Sequence, residues 1–230
     1  MGSPHERIRF DFRRRAHAWL LSRRNSAYEE MIAERKRTLF RDIGGMIVEI
    51  GPGGGRNLAY YPKSARCIGM EANPHFRRYF ARAAAELGIS AEFRTGTAER
   101  IDLATASVDA VVSTLVLCSV PDVGVVLREI QRVLRPGGRF YFVEHVAAAP
   151  GSGTARLQRA IRPLWALIAD GCHPDRPTWK YIEEAGFAKV ECEHFRVPAP
   201  VVGPHIIGIA TSKSQAHGNV VTPQTAHDGP

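Results

Sequence analysis

The sequence has few cysteines, and none of them lie close together. Its 230 residues include four, Cys67, Cys118, Cys172 and Cys192, and no two form a Cys-x-x-Cys pair. Disulfide-held secreted domains and structural zinc sites both depend on closely spaced cysteines. We therefore predict reduced thiols, no disulfide framework and no structural metal site, in a protein of a reducing compartment.

A long apolar run is also missing. Apolar runs such as those at 111–112 and 115–117 are strand-sized and are interrupted by Ser and Thr. A helix that crosses a membrane needs about 20 apolar residues. The arginines near the N-terminus are not followed by the apolar segment of a secretory signal. These absences predict a cytoplasmic protein without a membrane span.

The N-terminal end has too few acidic residues to balance its basic ones. Residues 1–41 contain eleven Lys or Arg and five Asp or Glu, which places +6 of the formal net charge of +8 in this segment. The pattern predicts a solvated helical arm, with peripheral contact to an acidic membrane surface or nucleic acid as alternatives. Because the basic residues lack the interleaved aromatics of a base-stacking surface, a nucleic-acid partner is disfavoured. The oligomeric state stays open.

Beyond this arm, apolar strand patterns alternate with helix patterns. Predicted helices lie at 74–87, 123–134 and 177–185. Predicted strands lie at 46–50, 66–71, 91–95, 108–117, 139–145, 189–195 and 206–211. The alternation predicts an α/β fold with a doubly wound, mostly parallel seven-stranded sheet of the Rossmann-like kind and an antiparallel hairpin at one edge.

The same patterns predict the domain organisation. A basic helical arm or lid at 1–41 precedes one α/β domain at 42–211. A Gly/Pro linker and an amphipathic piece interrupt the alternation at about 146–175, which predicts an insert that caps the domain. The tail at 212–230 is rich in Ser, Gln, Asn, Gly, Pro and Thr, a composition typical of disorder.

A glycine-rich loop, EIGPGGGRN at 49–57, follows the first predicted strand. The dinucleotide fingerprint G-x-G-x-x-G requires a third glycine three residues after the second, and Arg56 stands there instead. The loop instead has an acid, Glu49, followed by alternating Gly51, Gly53 and Gly55. This E-x-G-x-G-x-G pattern resembles motif I of the class I S-adenosylmethionine methyltransferases.

Two further strand ends fit that cofactor. Glu71 ends the second strand, where a carboxylate can accept both ribose hydroxyls, while Glu49 can interact with the cationic amino group. The segment after the third strand occupies the place where such proteins seat the adenine. The predicted cofactor-binding residues are Glu49, Gly51, Gly53, Gly55, Glu71, Ala72, Thr97, Ala98, Glu99, Thr114 and Leu115.

Stretches outside the loop narrow the resemblance. Over about 36–211 the sequence is similar to the methyltransferase-like alkyl thiol S-methyltransferases. Members of that family begin with an apolar membrane-anchoring segment, where this sequence has the basic arm, and their ribose-binding acid is usually Asp. The matching stretches are ANPHF (72–76), STLVLCSV (113–120), RVLRPGG (132–138), EHVA (144–147), DGC (170–172), TWK (178–180) and GPHIIG (203–208).

The resemblance implies methyl transfer from S-adenosylmethionine to the thiolate of a small molecule, leaving S-adenosylhomocysteine. His145 is our first candidate for the base, because it ends the fifth strand at the edge where open α/β sheets bind ligands. Asp170 and His173 come from the insert, and either one can orient His145 or take the proton itself. Capping of a helix end is the alternative role for both.

Three further residues are candidates for the substrate side. His205 can reach the same rim, and Cys118 and Cys172 can line the pocket, although buried inert cysteines are common. A metal site would need His145, Asp170, Cys172, His173 and His205 to converge. Since these residues lack spacings such as His-x-x-x-His, no metal is predicted.

Other functions remain as alternatives at this point. The fold is shared by O-, N- and C-methyltransferases acting on metabolites or lipid precursors. A nucleic-acid methylase that uses the basic arm, or a cofactor-binding regulator without catalysis, belongs to a different class. The glycine loop indicates the methyl donor and leaves the acceptor open.

Overall fold

The computed structural model describes residues 4–23 and 26–214. Most of the tail predicted to be disordered, from residue 215 onward, lies outside the described residues. Within them the helices are α1 (Pro4–Arg23), α2 (Ser26–Leu39), α3 (Arg77–Leu87), α4 (Val123–Val133), α5 (Gly153–Ile168) and α6 (Thr178–Glu184). The strands are β1 (Met46–Ile50), β2 (Arg66–Glu71), β3 (Ser90–Thr95), β4 (Val108–Thr114), β5 (Leu134–His145), β6 (Lys189–Arg196) and β7 (Pro204–Thr211).

These strands form one seven-stranded sheet in the order β3-β2-β1-β4-β5-β7-β6. The strands β1 to β5 pair in parallel, whereas β7 is antiparallel to both β5 and β6. The predicted doubly wound sheet with an antiparallel edge hairpin is confirmed. The strand order reverses between β1 and β4, and the carboxyl ends of strands at such a reversal are where ligands bind in open α/β sheets.

Helix α4 illustrates how the sequence produces the covering layers. Asp122 caps its first turn, because Oδ1 accepts a hydrogen bond of 3.0 Å from the amide of Val125. Val126, Leu127 and Ile130 recur at a spacing of one and three residues, and all three are buried against the sheet. Helices α2 and α3 contribute to a second core on the opposite face.

Two strand boundaries differ from the prediction by three residues or more. The fourth strand was predicted to run to residue 117, but β4 ends at Thr114 because Leu115 adopts a φ of 58°. An extended strand cannot continue through that left-handed conformation. The fifth strand begins earlier than predicted, at Leu134, with an irregular register against β4 near Ala110.

No helix within residues 4–23 and 26–214 is both long enough and apolar enough to cross a membrane.

Candidate active site

The glycine loop turns sharply at the carboxyl end of β1. Gly51 has a φ of 60°, and its amide donates a 2.8 Å hydrogen bond to the carbonyl of Met70 in β2. A Cβ at Gly51 would collide with Cγ2 of Val116, which follows β4. Gly55 has a φ of 82°, and a Cβ there would lie 2.9 Å from Leu58. The loop therefore needs glycine both for its conformation and for close packing.

Glu71 joins this loop to the end of β2. Its Oε2 accepts from the amide of Gly53 at 3.2 Å, and its Oε1 accepts from the amide of Asn73 at 2.8 Å. Burial raises the pKa of Glu71, while these two amide donors act in the opposite direction. Each carboxylate oxygen keeps a further lone pair for a ligand. The position and chemistry fit the predicted ribose hydroxyls.

Glu49 lies below the loop and is 2% exposed. Its Oε1 accepts from Nδ2 of Asn57 at 2.8 Å, and its Oε2 accepts from the hydroxyl of Tyr61 at 2.9 Å. Asn57 Nδ2 also donates to Oγ1 of Thr114 at 3.0 Å. Burial raises the pKa of Glu49 to about 7, although both hydrogen bonds oppose the shift. Glu49 thus connects the ends of β1 and β4 through Asn57.

Asn57 and Tyr61 are functional-site residues that were not predicted from the sequence. They stand four residues apart in the short 3₁₀ helix Arg56–Tyr60 and the residue that follows it. A polar pair directly after a buried acid was the available signal, because a buried carboxylate must find donors. The predicted contact between Glu49 and the amino group of the cofactor stays a prediction.

The remaining predicted cofactor residues lie at the same edge. Leu115 keeps its left-handed φ of 58° while its amide donates to the carbonyl of Val143 at 2.8 Å. Ala98 is buried and Thr97 is exposed. Among the described residues, no hydrogen-bond partner reaches the buried Oε1 of Glu99. Such an unpartnered acceptor fits the exocyclic amine of an adenine, so the residues at this edge fit S-adenosylmethionine.

Helix α1 contacts both halves of this edge. A guanidinium N–H of Arg14 donates to the carbonyl of Ala72, next to Glu71. Nη2 of Arg56, in the glycine loop, donates to the carbonyl of Leu21 at 3.1 Å. Helix α1 therefore lies against the predicted binding site of S-adenosylmethionine.

The same helix reaches the insert. Nη2 of Arg13 donates to the carbonyl of Leu167 in α5 at 3.0 Å. Nδ1 of His17 lies 3.9 Å from a carboxylate oxygen of Asp170, whose side chain is 70% exposed. Asp170, a predicted base candidate, thus faces the arm, and its φ of 49° belongs to the turn that follows α5.

A compact cluster of three side chains lies beside the sheet edge that is predicted to bind the methyl donor. The sulfurs of Cys118 and Cys172 and a ring nitrogen of His145 all lie within 4.8 Å of one another, and all three residues are buried. Nε2 of His145 is 3.0 Å from Sγ of Cys172. The indole Nε1 of Trp165 donates to the same sulfur at 3.3 Å. No disulfide joins any of the four cysteines, all of which lie within the described residues.

The two cysteines of this cluster have different proton affinities. The thiol of Cys118 lowers the pKa of Cys172 to about 5, with further contributions from His145 and Trp165, and together these outweigh burial. The hydrogen bond to Cys172 and its own burial raise the pKa of Cys118 well above the usual value. Cys172 therefore gives up its proton more readily than Cys118. We assign the proton between His145 and Cys172 to Nε2, which donates to Sγ of Cys172.

The other ring nitrogen of His145 has a different environment. Among the described residues, no hydrogen-bond partner reaches the buried Nδ1. With the proton on Nε2, Nδ1 carries a lone pair. His145 is therefore oriented at one nitrogen and available at the other.

The two other candidate histidines, His205 and His173, form hydrogen bonds close to this cluster. Nδ1 of His205 lies 3.0 Å from the carbonyl of Gly203, and Nε2 lies 3.0 Å from the hydroxyl of Tyr28. Burial lowers the pKa of His205 to about 4, so the ring is neutral. The amide of His173 donates to the carbonyl of Cys118 at 2.9 Å. Its backbone thereby ties the two cysteine-bearing loops together.

Comparison with known proteins gives the same class of domain. A family model described as a methyltransferase domain matches residues 48–142. Thiol S-methyltransferase TMT1A of Homo sapiens is 38% identical over 205 residues, covering 84% of this chain and 84% of that protein. Thiol S-methyltransferase TMT1B of Homo sapiens is 41% identical over 191 residues, covering 76% of this chain and 78% of that protein.

Solved structures with much lower identity share the fold. The crystal structure of the [4+2]-cyclase SpnF matches with a TM-score of 0.62 at 18% identity, covering 80% of this chain and 82% of that one. The YcgJ protein from Bacillus subtilis matches with a TM-score of 0.59 at 16% identity, covering 79% of this chain and 99% of that one. These likenesses establish the fold alone, because one fold supports different reactions.

Proposed function

Since the chain belongs to the thiol S-methyltransferase family, we propose that it methylates the thiol of a small molecule, with S-adenosylmethionine as the methyl donor. One observation supports our assignment of the methyl-acceptor side. Nε2 of His145 forms a hydrogen bond with Sγ of Cys172, while among the described residues no partner reaches Nδ1 of the same ring. The products are a methyl thioether and S-adenosylhomocysteine.

The donor side is held by the residues around the glycine loop. In our proposal Glu71 accepts the ribose hydroxyls, Glu99 accepts from the adenine amine, and Gly51 and Gly53 allow close approach of the backbone. Leu115 closes the site from the end of β4. S-adenosylmethionine supplies a methyl group on a sulfonium sulfur, which makes that carbon electrophilic.

His145 acts as the base of the proposed reaction. Only a few per cent of an ordinary thiol with a pKa near ~8.5 is ionised at neutral pH. Nδ1 of His145 takes the proton of the acceptor thiol, and the thiolate of Cys172 stabilises the resulting imidazolium through the 3.0 Å contact at Nε2. The acceptor is thereby charged only after it has entered the site.

Burial of this cluster favours the transfer. A thiolate and a sulfonium are converted into two neutral sulfur compounds, so removal of water lowers the barrier by weakening the solvation of the charged reactants. Cys118 and Cys172 are 2% and 6% exposed, which supports an acceptor site with little water. In this proposal Asp170 and His173 shape the insert.

The arm at 1–41 serves as a lid over the donor site in our proposal. The contacts of Arg14 with Ala72 and of Arg56 with Leu21 support this role. Removing residues 1–23 should weaken donor affinity in isothermal titration calorimetry, whereas unchanged affinity and turnover would contradict the lid. The remainder at 42–211 acts as one catalytic domain.

A substrate panel tests the proposed activity. The full chain, reduced and treated with chelator, is incubated with the methyl donor and three acceptors that share one skeleton and carry a thiol, an alcohol or an amine. We expect a methyl thioether from the thiol alone. Methylation of the alcohol or amine without the thiol would instead assign an O- or N-methyltransferase.

A further inference from the structure

We propose that Cys118, His145 and Cys172 form a binding site for Zn²⁺, and that zinc at this site inhibits methyl transfer. The regulatory part rests on the proposed function, because it assumes that His145 accepts the acceptor's proton. The binding part stands on geometry alone.

The three donor atoms have the composition and spacing of a zinc site. Two sulfurs and one imidazole nitrogen lie within 4.8 Å of one another. Zinc binds sulfur at about 2.3 Å and imidazole nitrogen at about 2.0–2.1 Å, so neighbouring ligands in a tetrahedral site stand about 3.5–3.8 Å apart. The contact of 3.0 Å between His145 and Cys172 needs to open by about half an ångström to reach that spacing.

The ligands are fixed by three different segments of the fold. Cys118 follows β4, His145 ends β5, and Cys172 follows α5. The amide of His173 donates to the carbonyl of Cys118 at 2.9 Å, which holds the two cysteine segments together. A site on a rigid sheet edge loses little entropy when a metal binds.

The surroundings suit a metal with two thiolate ligands. The indole N–H of Trp165 donates to Sγ of Cys172 at 3.3 Å, and such outer donors orient and stabilise ligand thiolates. Two thiolates neutralise the charge of Zn²⁺, so the buried complex carries no net charge. Three protein ligands leave the fourth tetrahedral position for water or an external thiol.

Zinc and catalysis exclude each other at His145. A metal ligand nitrogen must be deprotonated, so zinc on Nε2 places the ring proton on Nδ1. Nδ1 then has no lone pair with which to accept a proton. Zinc also occupies the sulfur of Cys172 that stabilises the imidazolium. Occupancy of the site therefore removes the proposed base.

The experiment first measures binding, with Co²⁺ as a spectroscopic probe. The full chain is reduced and freed of metal, and Co²⁺ is titrated without any added thiol. We expect one equivalent to give the intense near-ultraviolet band of thiolate-to-cobalt charge transfer, and one equivalent of Zn²⁺ to remove it. The Cys118→Ser and Cys172→Ser variants should bind at least about 100-fold more weakly, while Cys192→Ser, in β6, should bind like the parent.

Three outcomes overturn the binding proposal: no charge-transfer band, a stoichiometry other than one, or a band that survives both serine substitutions. Thermal unfolding of each variant separates loss of a ligand from loss of the fold. Trp165→Phe provides a milder variant, which should keep the band and weaken affinity by about 10-fold because an outer hydrogen bond is lost.

Activity is then measured at fixed free Zn²⁺, set by a zinc-buffering chelator, with a monothiol acceptor. Inhibition should be half-maximal at the free zinc concentration that fills half of the sites in the competition with cobalt. Activation, or full activity with the site occupied, overturns the inhibitory role. If the metal-free enzyme methylates no thiol, the proposed function fails, and the cobalt titration still decides whether the metal site exists.

Discussion

Nε2 of His145 lies 3.0 Å from Sγ of Cys172, although 27 residues separate them in the chain. The histidine is delivered by the end of β5, and the cysteine by the turn that follows α5. The insert at about 146–175 therefore supplies a partner to the strand that precedes it. Sγ of Cys172 thus occupies the place at the histidine that a carboxylate occupies in a Ser-His-Asp triad.

Replacement of His145 by Gln should lower kcat/KM for a thiol acceptor by about 10²–10⁴-fold, the usual contribution of a general base. Donor affinity should stay within about 2-fold, because His145 is proposed to act on the acceptor. Steady-state kinetics and calorimetry with the donor measure the two effects. The matched control is His194→Gln, since His194 is exposed on β6 and should keep parent activity.

The same variant distinguishes a base from a structural residue. With an acceptor whose thiol is already ionised at the assay pH, proton removal is unnecessary, and the loss in His145→Gln should shrink to a few-fold. An equal loss with ionised and un-ionised acceptors would contradict the proposed role and indicate that the substitution disturbs the site.

Glu49 should make the stability of the fold depend on pH. Burial raises its pKa to about 7 from the usual 4.5 of a glutamate side chain, so between these values the folded chain binds a proton that the unfolded chain has lost. The loss of folding stability caused by ionising the buried Glu49 grows as pH rises through this window and reaches its full size above pH 7. At 1.36 kcal/mol for each pKa unit it amounts to about 3 kcal/mol.

The Glu49→Gln variant removes this penalty. The free energy of unfolding is measured in urea for the variant and the parent. The value for the variant minus that for the parent should increase by about 3 kcal/mol from pH 4.5 to pH 8, because glutamine does not ionise. Glu86→Gln, on the exposed end of α3, serves as the matched control for loss of a surface carboxylate. A difference between parent and Glu49→Gln that is independent of pH would contradict the raised pKa. If Glu49 also contacts the donor, the stabilised variant will bind it more weakly.

The centre of the sheet was predictable because the inner strands β1, β2 and β4 are buried on both faces. The runs at 46–50 and 66–71 coincide with β1 and β2 in the structure. The end of β4 was not predictable from composition, since nothing in the residue type of Leu115 indicates a φ of 58°. That conformation comes from packing at the crevice, which is a tertiary property.

Those parts of the candidate site whose residues lie close together in the sequence were predictable, and those built from distant segments were not. Glu71 and the glycine loop lie in one short unit that runs from β1 through the 3₁₀ helix to the end of β2, so their spacing in the sequence carries the information. The cluster of Cys118, His145 and Cys172 depends on three distant segments, and the absence of short metal-binding spacings concealed it. Asn57 and Tyr61 were missed because the buried state of Glu49 was not anticipated.

The glycine loop offers a test that separates backbone strain from crowding. Gly51 and Gly88 have similar φ values, 60° and 65°, but a Cβ at Gly51 collides with Val116, whereas nothing lies within 4 Å of a Cβ at Gly88. Alanine at Gly88 should therefore cost only the left-handed conformation, about 1–2 kcal/mol. Gly51→Ala should cost more than this and should also lower donor affinity.

The additional loss of stability in Gly51→Ala should disappear when a neighbouring side chain is shortened to make room for the new methyl group. In the double variant Gly51→Ala/Val116→Ala the collision disappears, so stability relative to Val116→Ala alone should fall by only the 1–2 kcal/mol expected for backbone strain. Urea unfolding of the four proteins of this cycle measures the coupling. If the two substitutions add without coupling, the close contact between the glycine loop and the end of β4 is not what requires glycine at this position.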